Sequence, residues 1–363
     1  MSQSELRQRT RETAQDVSEE VREELRTIFN PETCTRKGLC PVTKIRHQEE
    51  PLESHSLYFE QHGSGPEKVV FIMGLNSTSF SWAPQVEHFG HSPNHTILVF
   101  DNRGVGNSGT PRGPYSTSGM AEDVIVLLNY LGWTEEHDFH VVGISLGGMI
   151  AQGSVSTALP FRFRVFDLDY FPSELSTRIP ERIISLTLAV TTPGGRPWNN
   201  LPPWKGVISL LLMTDPEKKL PIIIDMVFPS HWVDETAKDD PEGRTNREIQ
   251  FDLYRHRMSM TRPQHPIGAL SQMVAGITHN VQPDRLRKIS SSIAKVLILT
   301  GDEDHLVRPA NSYYLKQHMP EAELVVWEGT GHALHMQWTD RFNELLARVF
   351  REGRDGLSKD KTA

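Results

Sequence analysis

Ser145 lies in Val141-Val142-Gly143-Ile144-Ser145-Leu146-Gly147-Gly148, an apolar strand running into Gly-x-Ser-x-Gly and then into the helical start Met149-Ile150-Ala151-Gln152. Glycines on both sides of a serine let the chain turn sharply enough to expose the hydroxyl at the strand's end. A hydroxyl is a weak nucleophile until a base takes its proton, so this reading demands a histidine late in the chain and an acid before it. Two segments supply candidates: Gly301-Asp302-Glu303-Asp304-His305 and Glu328-Gly329-Thr330-Gly331-His332, each following an apolar run. Asp302 and Asp304 both stand open as the acid on this evidence. The chemistry that such a set performs is attack of an activated serine on a carbonyl carbon.

The elements that must position these residues are short apolar strands alternating with helices. Strands are predicted at 43–47, 56–62, 68–73, 96–100, 139–142, 183–190, 295–300 and 323–327, with helices at 80–89 and 310–318. Ser116, Thr117 and Ser118 offer N-caps to a helix carrying Met120, Val124, Leu127, Leu128 and Leu131, and Gly132 stops it. Such alternation implies right-handed β-α-β crossovers and a mostly parallel, doubly wound α/β sheet covered on both faces. Residues 1–30 read as a charged amphipathic helix with Val17, Val21, Leu25 and Ile28 on one side, and 1–42 as a helical extension. The core then runs over 43–191 and 290–353, with a polar, disordered tail at 354–363.

Residues 192–289 break the alternation with helical patterns interrupted by Pro and Gly and with many large apolar side chains. They read as a helical cap domain inserted over the C-terminal edge of the sheet, where open α/β sheets bind ligands. Trp204, Met213, Met226 and Phe228 are its candidate substrate contacts. Residues 153–173 also misfit, because Gly153 to Pro160 breaks the helix that should continue from Gln152. Joining Gln152 to Glu174 restores a helix followed by Pro180-Glu181-Arg182 and a strand. The 21 excess residues correspond to 63 nucleotides and read as a translated intron; the alternative is a genuine surface insertion.

These motifs and their order resemble the α/β-hydrolase superfamily, in its capped esterase, lipase and enol-lactonase-like branch, over roughly 56–351. The resemblance implies Ser145 as nucleophile, Asp304 as the acid, being the fourth residue of Gly-x-x-Asp, and His332 as the base. It makes Asp302 a neighbour of the acid and leaves His305 and His335 outside the triad. It implies an oxyanion hole from the backbone N–H groups of Leu75 and Leu146. The family's usual His-Gly before the first of these is Met73-Gly74 here, a departure of little consequence for backbone donors. Asp101-Asn102-Arg103-Gly104-Val105-Gly106-Asn107-Ser108 resembles the family's Asp-x-Arg-Gly-x-Gly-x-Ser turn, with Asp101 and Arg103 in local polar contacts. Its Gly-x-Gly-x-x-Gly spacing, Gly104 to Gly109, does not make a dinucleotide site, because no helix opens directly on it.

The reaction implied is hydrolysis of a carboxylic ester or lactone through an acyl-enzyme, with a small-molecule substrate and neither metal nor organic cofactor. Thioester, amide or carbon-carbon bond hydrolysis, or a non-catalytic ligand receptor on the same fold, are the alternatives, while a serine nucleophile disfavours the aspartate-dependent branches. A net charge of -8 argues against nucleic-acid binding. No apolar run is long enough to span a bilayer and the N-terminus lacks a signal-like apolar core, which predicts a cytoplasmic protein. Cys34 and Cys40 have no neighbouring His/Cys cluster in sequence and read as plain thiols. Oligomeric state and physiological substrate are not encoded in any of these patterns.

Overall fold

The computed structural model describes residues 25–43, 54–152, 179–195, 213, 215–238 and 240–360. The expected insertion at 153–173, Val17, Val21 and Trp204 therefore lie outside the described residues. Eight strands form one sheet: β1 (Cys34–Thr43), β2 (Ser54–His62), β3 (Glu67–Ile72), β4 (His95–Phe100), β5 (Phe139–Ile144), β6 (Ile183–Ala189), β7 (Lys295–Gly301) and β8 (Glu323–Trp327). Their order is β1-β2-β4-β3-β5-β6-β7-β8. β1 and β2 run antiparallel to their neighbours, and every pairing from β4 through β8 is parallel.

The central strands are apolar throughout because both faces of the sheet are covered. Alternation with period two divides their side chains between two cores. Val70, Ile72, Leu98, Val141, Leu186 and Ile298 enter one core. There they meet Met120, Val124, Leu127 and Leu128 of α2 (Thr117–Leu131) and Met149, Ile150 and Ala151 of α3 (Leu146–Gln152). Val69, Phe71, Ile97, Val142, Leu297 and Leu299 enter the other. That core is closed by Val86 and Phe89 of α1 (Ala83–Gly90) and by Phe342, Leu346, Val349 and Phe350 of the long C-terminal helix (Thr339–Asp360).

Ser116 caps α2 by accepting from the Gly119 N–H at 3.1 Å, and Gly132 ends the helix at φ 77°, as the sequence predicts. The predicted helix at 80–89 is instead a 3₁₀ turn, Ser79–Trp82, followed by α1, with Pro84 in its first turn.

Between β6 and β7 stand α4 (Pro216–Val227), α5 (Ser230–Asp234), α6 (Asn246–Met260), α7 (Pro266–Ile277) and α8 (Pro283–Ser292). They are followed by α9 (Ala310–His318) after β7, α10 (Leu334–Gln337) after β8 and the C-terminal helix as α11. Leu286 and Ile289 of α8 are buried in the main core, so the boundary expected at 289 cuts a core helix. No helix among the described residues is long and apolar enough to cross a membrane.

Two expectations about the ends are corrected. Leu25 to Asn30 are not helical, and Cys34–Thr43 is a strand rather than part of a helical extension. Leu25 and Phe29 nonetheless seal one core, which explains their apolar spacing without a helix. The polar tail continues α11 to Asp360: Arg354 pairs with Glu67 at 2.9 Å, and Gly353 passes close against Ser185 of β6. Its charges read as disorder because their partners are remote in sequence.

His335, in α10, is buried against Trp82 and Phe342, with ring centroids at 5.0 and 6.1 Å. Burial, reinforced by the charges of Arg257 and His332, lowers its pKa to about 3. An unfolded histidine titrates near about 6.5, so below that pH the unfolded chain takes up a proton that the folded chain refuses. The stability contributed by neutral His335 is complete above that value and is lost as pH falls toward 3. Urea unfolding of the wild type and of His335→Phe at pH 7.5 and 5.5 checks this. The wild type should lose stability relative to the variant at the lower pH; a pH-independent difference would refute it.

Candidate active site

Ser145 follows β5 with φ 55°, a left-handed conformation that a residue with a side chain adopts only under constraint. The constraint comes from close backbone packing. A Cβ on Gly143 would lie 2.5 Å from the Gly147 carbonyl oxygen, and one on Gly147 would lie 2.0 Å from that of Ile72. The Ser145 N–H donates to the Ala189 carbonyl at 2.9 Å, and its own carbonyl accepts from Thr191 Oγ1 at 2.8 Å. Both peptide groups of the turn are thus fixed by β6 and the residues after it, while the side chain remains half-buried.

The loop after β3 passes directly against this turn. A Cβ on Gly74 would stand 3.1 Å from Ser145 Cβ, so glycine is what lets Met73, Gly74 and Leu75 run beside the serine. Asn102 Nδ2 holds the Met73 carbonyl at 2.9 Å from below. The N–H groups of Leu75 and Leu146 form no hydrogen bond among the described residues. They are two donors without acceptors, on the two segments that meet at Ser145.

Asp304 and His332 are brought together. His332 Nδ1 lies 2.8 Å from Asp304 Oδ2, with both side chains almost fully buried. Asp304 Oδ1 accepts from the N–H groups of Leu306 and Val307, each at 2.9 Å. A carboxylate engaged in this way places the imidazole proton on Nδ1 and leaves the Nε2 lone pair outward, as a general base requires. Asp302 is exposed and accepts instead from the Thr330 N–H at 3.2 Å. His305 is exposed.

The His332 loop is held from two directions. Gln337 accepts from the Gly331 N–H at 2.9 Å and donates to the Gly329 carbonyl at 2.8 Å. The Ala333 N–H donates to the Val227 carbonyl at 3.0 Å, at the end of α4. Met226 and Phe228 join a cluster with Trp232, Val233, Ala333 and Met336, with Phe228 stacked on Trp232 at 5.0 Å. Met213 is half-buried.

Asp101 and Arg103 behave as expected of a structural turn. Asp101 accepts from Ser79 N, Ser79 Oγ and Asn107 N, each at 2.8 Å. Arg103 makes a two-point contact with Asp123, both distances 2.6 Å. Cys34 and Cys40 are free thiols.

Sequence reasoning missed two residues in the inserted helices. Gln272 in α7 accepts from the Asn76 N–H and donates to the Arg103 carbonyl, both at 2.8 Å, which ties the loops after β3 and β4 together. Its signal was a polar residue in an otherwise apolar helix, here fully buried. Arg257 in α6 is almost fully buried, 4.0 Å from Met336 Sδ and 4.3 Å over the Tyr254 ring, and makes no ion pair among the described residues. Burial lowers its pKa. Nothing in the sequence distinguished it from the surface arginines of α6.

Comparison with known proteins agrees with this fold. The model of the alpha/beta hydrolase family matches residues 62–345. A protein assigned provisionally as the carbamate hydrolase RutD of Azorhizobium caulinodans is 23% identical over 298 residues, covering 80% of this chain and 93% of its own length. The poly(3-hydroxyalkanoate) depolymerase of Ectopseudomonas oleovorans is 30% identical over 262 residues, 72% of this chain and 77% of that protein. Among solved structures, the enol-lactonase from Burkholderia xenovorans LB400 superposes with a TM-score of 0.61 at 18% identity, covering 82% of this chain and 97% of that one. With its eight-stranded, mostly parallel sheet and a family match across most of its length, this chain belongs to the alpha/beta hydrolase family.

Proposed function

We propose that this hydrolase cleaves a carboxylic ester or lactone of a small molecule through an acyl-enzyme on Ser145. The observation that carries the reading is the Asp304–His332 hydrogen bond, formed in the loops beyond the same sheet edge at which Ser145 is held in its left-handed turn. Ser145 Oγ attacks the carbonyl carbon as His332 Nε2 takes its proton, and Asp304 holds the imidazole in the required tautomer. The Leu75 and Leu146 N–H groups receive the oxyanion. Collapse expels the alcohol, protonated by His332; water then attacks the acyl-enzyme by the same path and releases the acid. A relative named as a polyester depolymerase supports the ester reading, and α4 to α7 act as the lid.

Ser145→Ala should reduce kcat on p-nitrophenyl esters by about 10⁴-fold or more. Asp304→Asn should be far more damaging than Asp302→Asn, whose side chain reaches only Thr330. Activity of Ser145→Ala within tenfold of wild type, or reversed severity of the two aspartate variants, would contradict the assignment.

Arg257 lies against Met336, four positions after His332. A buried guanidinium without a carboxylate partner among the described residues suits an anionic group on the substrate. Arg257→Met should raise KM for carboxylate-bearing esters by about 10-fold or more, the worth of a charged hydrogen bond, and leave neutral esters unaffected. Equal effects on both classes would exclude the role.

We also propose that 153–173 is intron-derived. The 21 residues follow directly on Gln152, the last described residue of α3, and catalysis loses roughly 100-fold for about 1 Å of misplacement, so the helix behind Ser145 tolerates little disruption. A chain joining Gln152 to Glu174 should be more stable and more active, and the mature transcript should lack the 63 nucleotides. A transcript that retains them, with a less active shortened protein, would make the insertion genuine.

A further inference from the structure

We infer that Cys34, Glu60 and His62 form a metal site, for Zn²⁺ or a similar divalent cation, separate from the hydrolytic centre. Cys34 opens β1 and lies opposite His62 in the antiparallel register with β2. Glu60 and His62 are two apart on β2, and so share one face. One ligand atom from each of the three lies within 4.8 Å of the others: His62 Nε2 is 3.7 Å from Glu60 Oε2, and Cys34 Sγ is 4.0 Å from that oxygen. Tetrahedral zinc with bonds of about 2.0–2.3 Å separates neighbouring ligand atoms by roughly 3.3–3.8 Å, so the first two distances close by about half an ångström and the third, bounded at 4.8 Å, by about an ångström or a little more.

The placement of protons makes the case. Thr33 Oγ1 donates its one proton to the Asn30 carbonyl at 3.0 Å, and it lies 2.9 Å from His62 Nδ1. While the hydroxyl keeps its bond to Asn30 it accepts from Nδ1–H, the tautomer that leaves a lone pair on Nε2. That Nε2 atom is fully buried and has no hydrogen-bond partner among the described residues. It faces a carboxylate oxygen, another acceptor, beyond hydrogen-bond reach. A ring nitrogen, a carboxylate oxygen and a thiol thus converge, with the thiol proton directed to Glu60 Oε2 across a long 4.0 Å contact. A divalent cation resolves this, with the thiol as thiolate and the two negative ligands balancing its charge.

The surroundings are those of a metal site. The Thr33–His62 bond orients the imidazole, and Tyr58 donates to the other oxygen of Glu60, the outer contacts that fix ligating groups. Lys37, whose charge would oppose a cation, is drawn to the Leu25 carbonyl at 2.6 Å. The site is separate from the candidate hydrolytic centre: His62 pairs with Ile97 near the start of β4, whereas Ser145, Asp304 and His332 follow the ends of their strands. Bound metal would fasten the segment before β1 to the sheet. The three residues escape a sequence reading because the second strand brings Glu60 and His62 to Cys34 from 26 and 28 positions away.

The test uses the full chain, stripped with a chelator and titrated with Zn²⁺, then separately with Co²⁺. Wild type should retain one Zn²⁺ per chain after gel filtration, melt higher with metal, and show a thiolate-to-Co²⁺ charge-transfer band. Cys34→Ser and His62→Gln should each bind at least about 100-fold more weakly, and Cys34→Ser should lose the band. Ester hydrolysis should be the same with and without metal. No retained metal in wild type, binding by Cys34→Ser equal to wild type, or a Co²⁺ complex without a thiolate band would each overturn the site. Cys34→Ser changes one half-buried atom, so it decides the matter even if His62→Gln fails to fold.

Discussion

The left-handed turn at Ser145 is the constraint around which this molecule is arranged. A serine held there gives up about 1 kcal/mol or more of backbone energy, and the surrounding contacts must offset it. They do so through a hydrogen bond from the Ser145 N–H to Ala189 and one to the Ser145 carbonyl from Thr191, and through glycines at 143 and 147 that let β3 and α3 close to backbone contact. Those contacts exist only because β3, β5 and β6 are adjacent and parallel in the sheet, with an apolar core on each face. The sheet's burial thus supplies the energy that holds one hydroxyl half-exposed.

The same edge is stiffened from above by helices inserted between β6 and β7. Gln272 joins the loops after β3 and β4, and Val227 holds the loop that carries His332. The Gln272 side chain and the Val227 carbonyl both bond to backbone groups of these loops, so a change in the inserted helices can shift the candidate site without touching its side chains. Arg257 marks the electrostatic consequence: a cation is buried against Met336, where low-dielectric surroundings make a charge without an ion-pair partner among the described residues costly.

Residues whose roles depend on neighbours in sequence were legible. The Gly-x-Ser-x-Gly turn, the caps of α2 and the apolar runs of β3 to β7 carry their signal within a few positions. Resemblance to a family separated Asp304 from Asp302, which local pattern left open, and the hydrogen bond to His332 falls on the former. What escaped depends on remote partners. β1 falls in a segment that reads as a helical extension, α11 carries charges that pair with Glu67 from 287 positions away, and Arg257 and Gln272 look like surface residues until the fold covers them. Periodicity reports which side of an element is buried, not what buries it.

The central claim is that Ser145 is the nucleophile, and active-site labelling tests it most directly. The protein should react with a fluorophosphonate to form one adduct per chain, mapped by peptide mass spectrometry to the segment containing Ser145, with ester turnover lost in proportion to labelling. An adduct on another residue, or turnover that survives complete labelling of Ser145, would contradict the account.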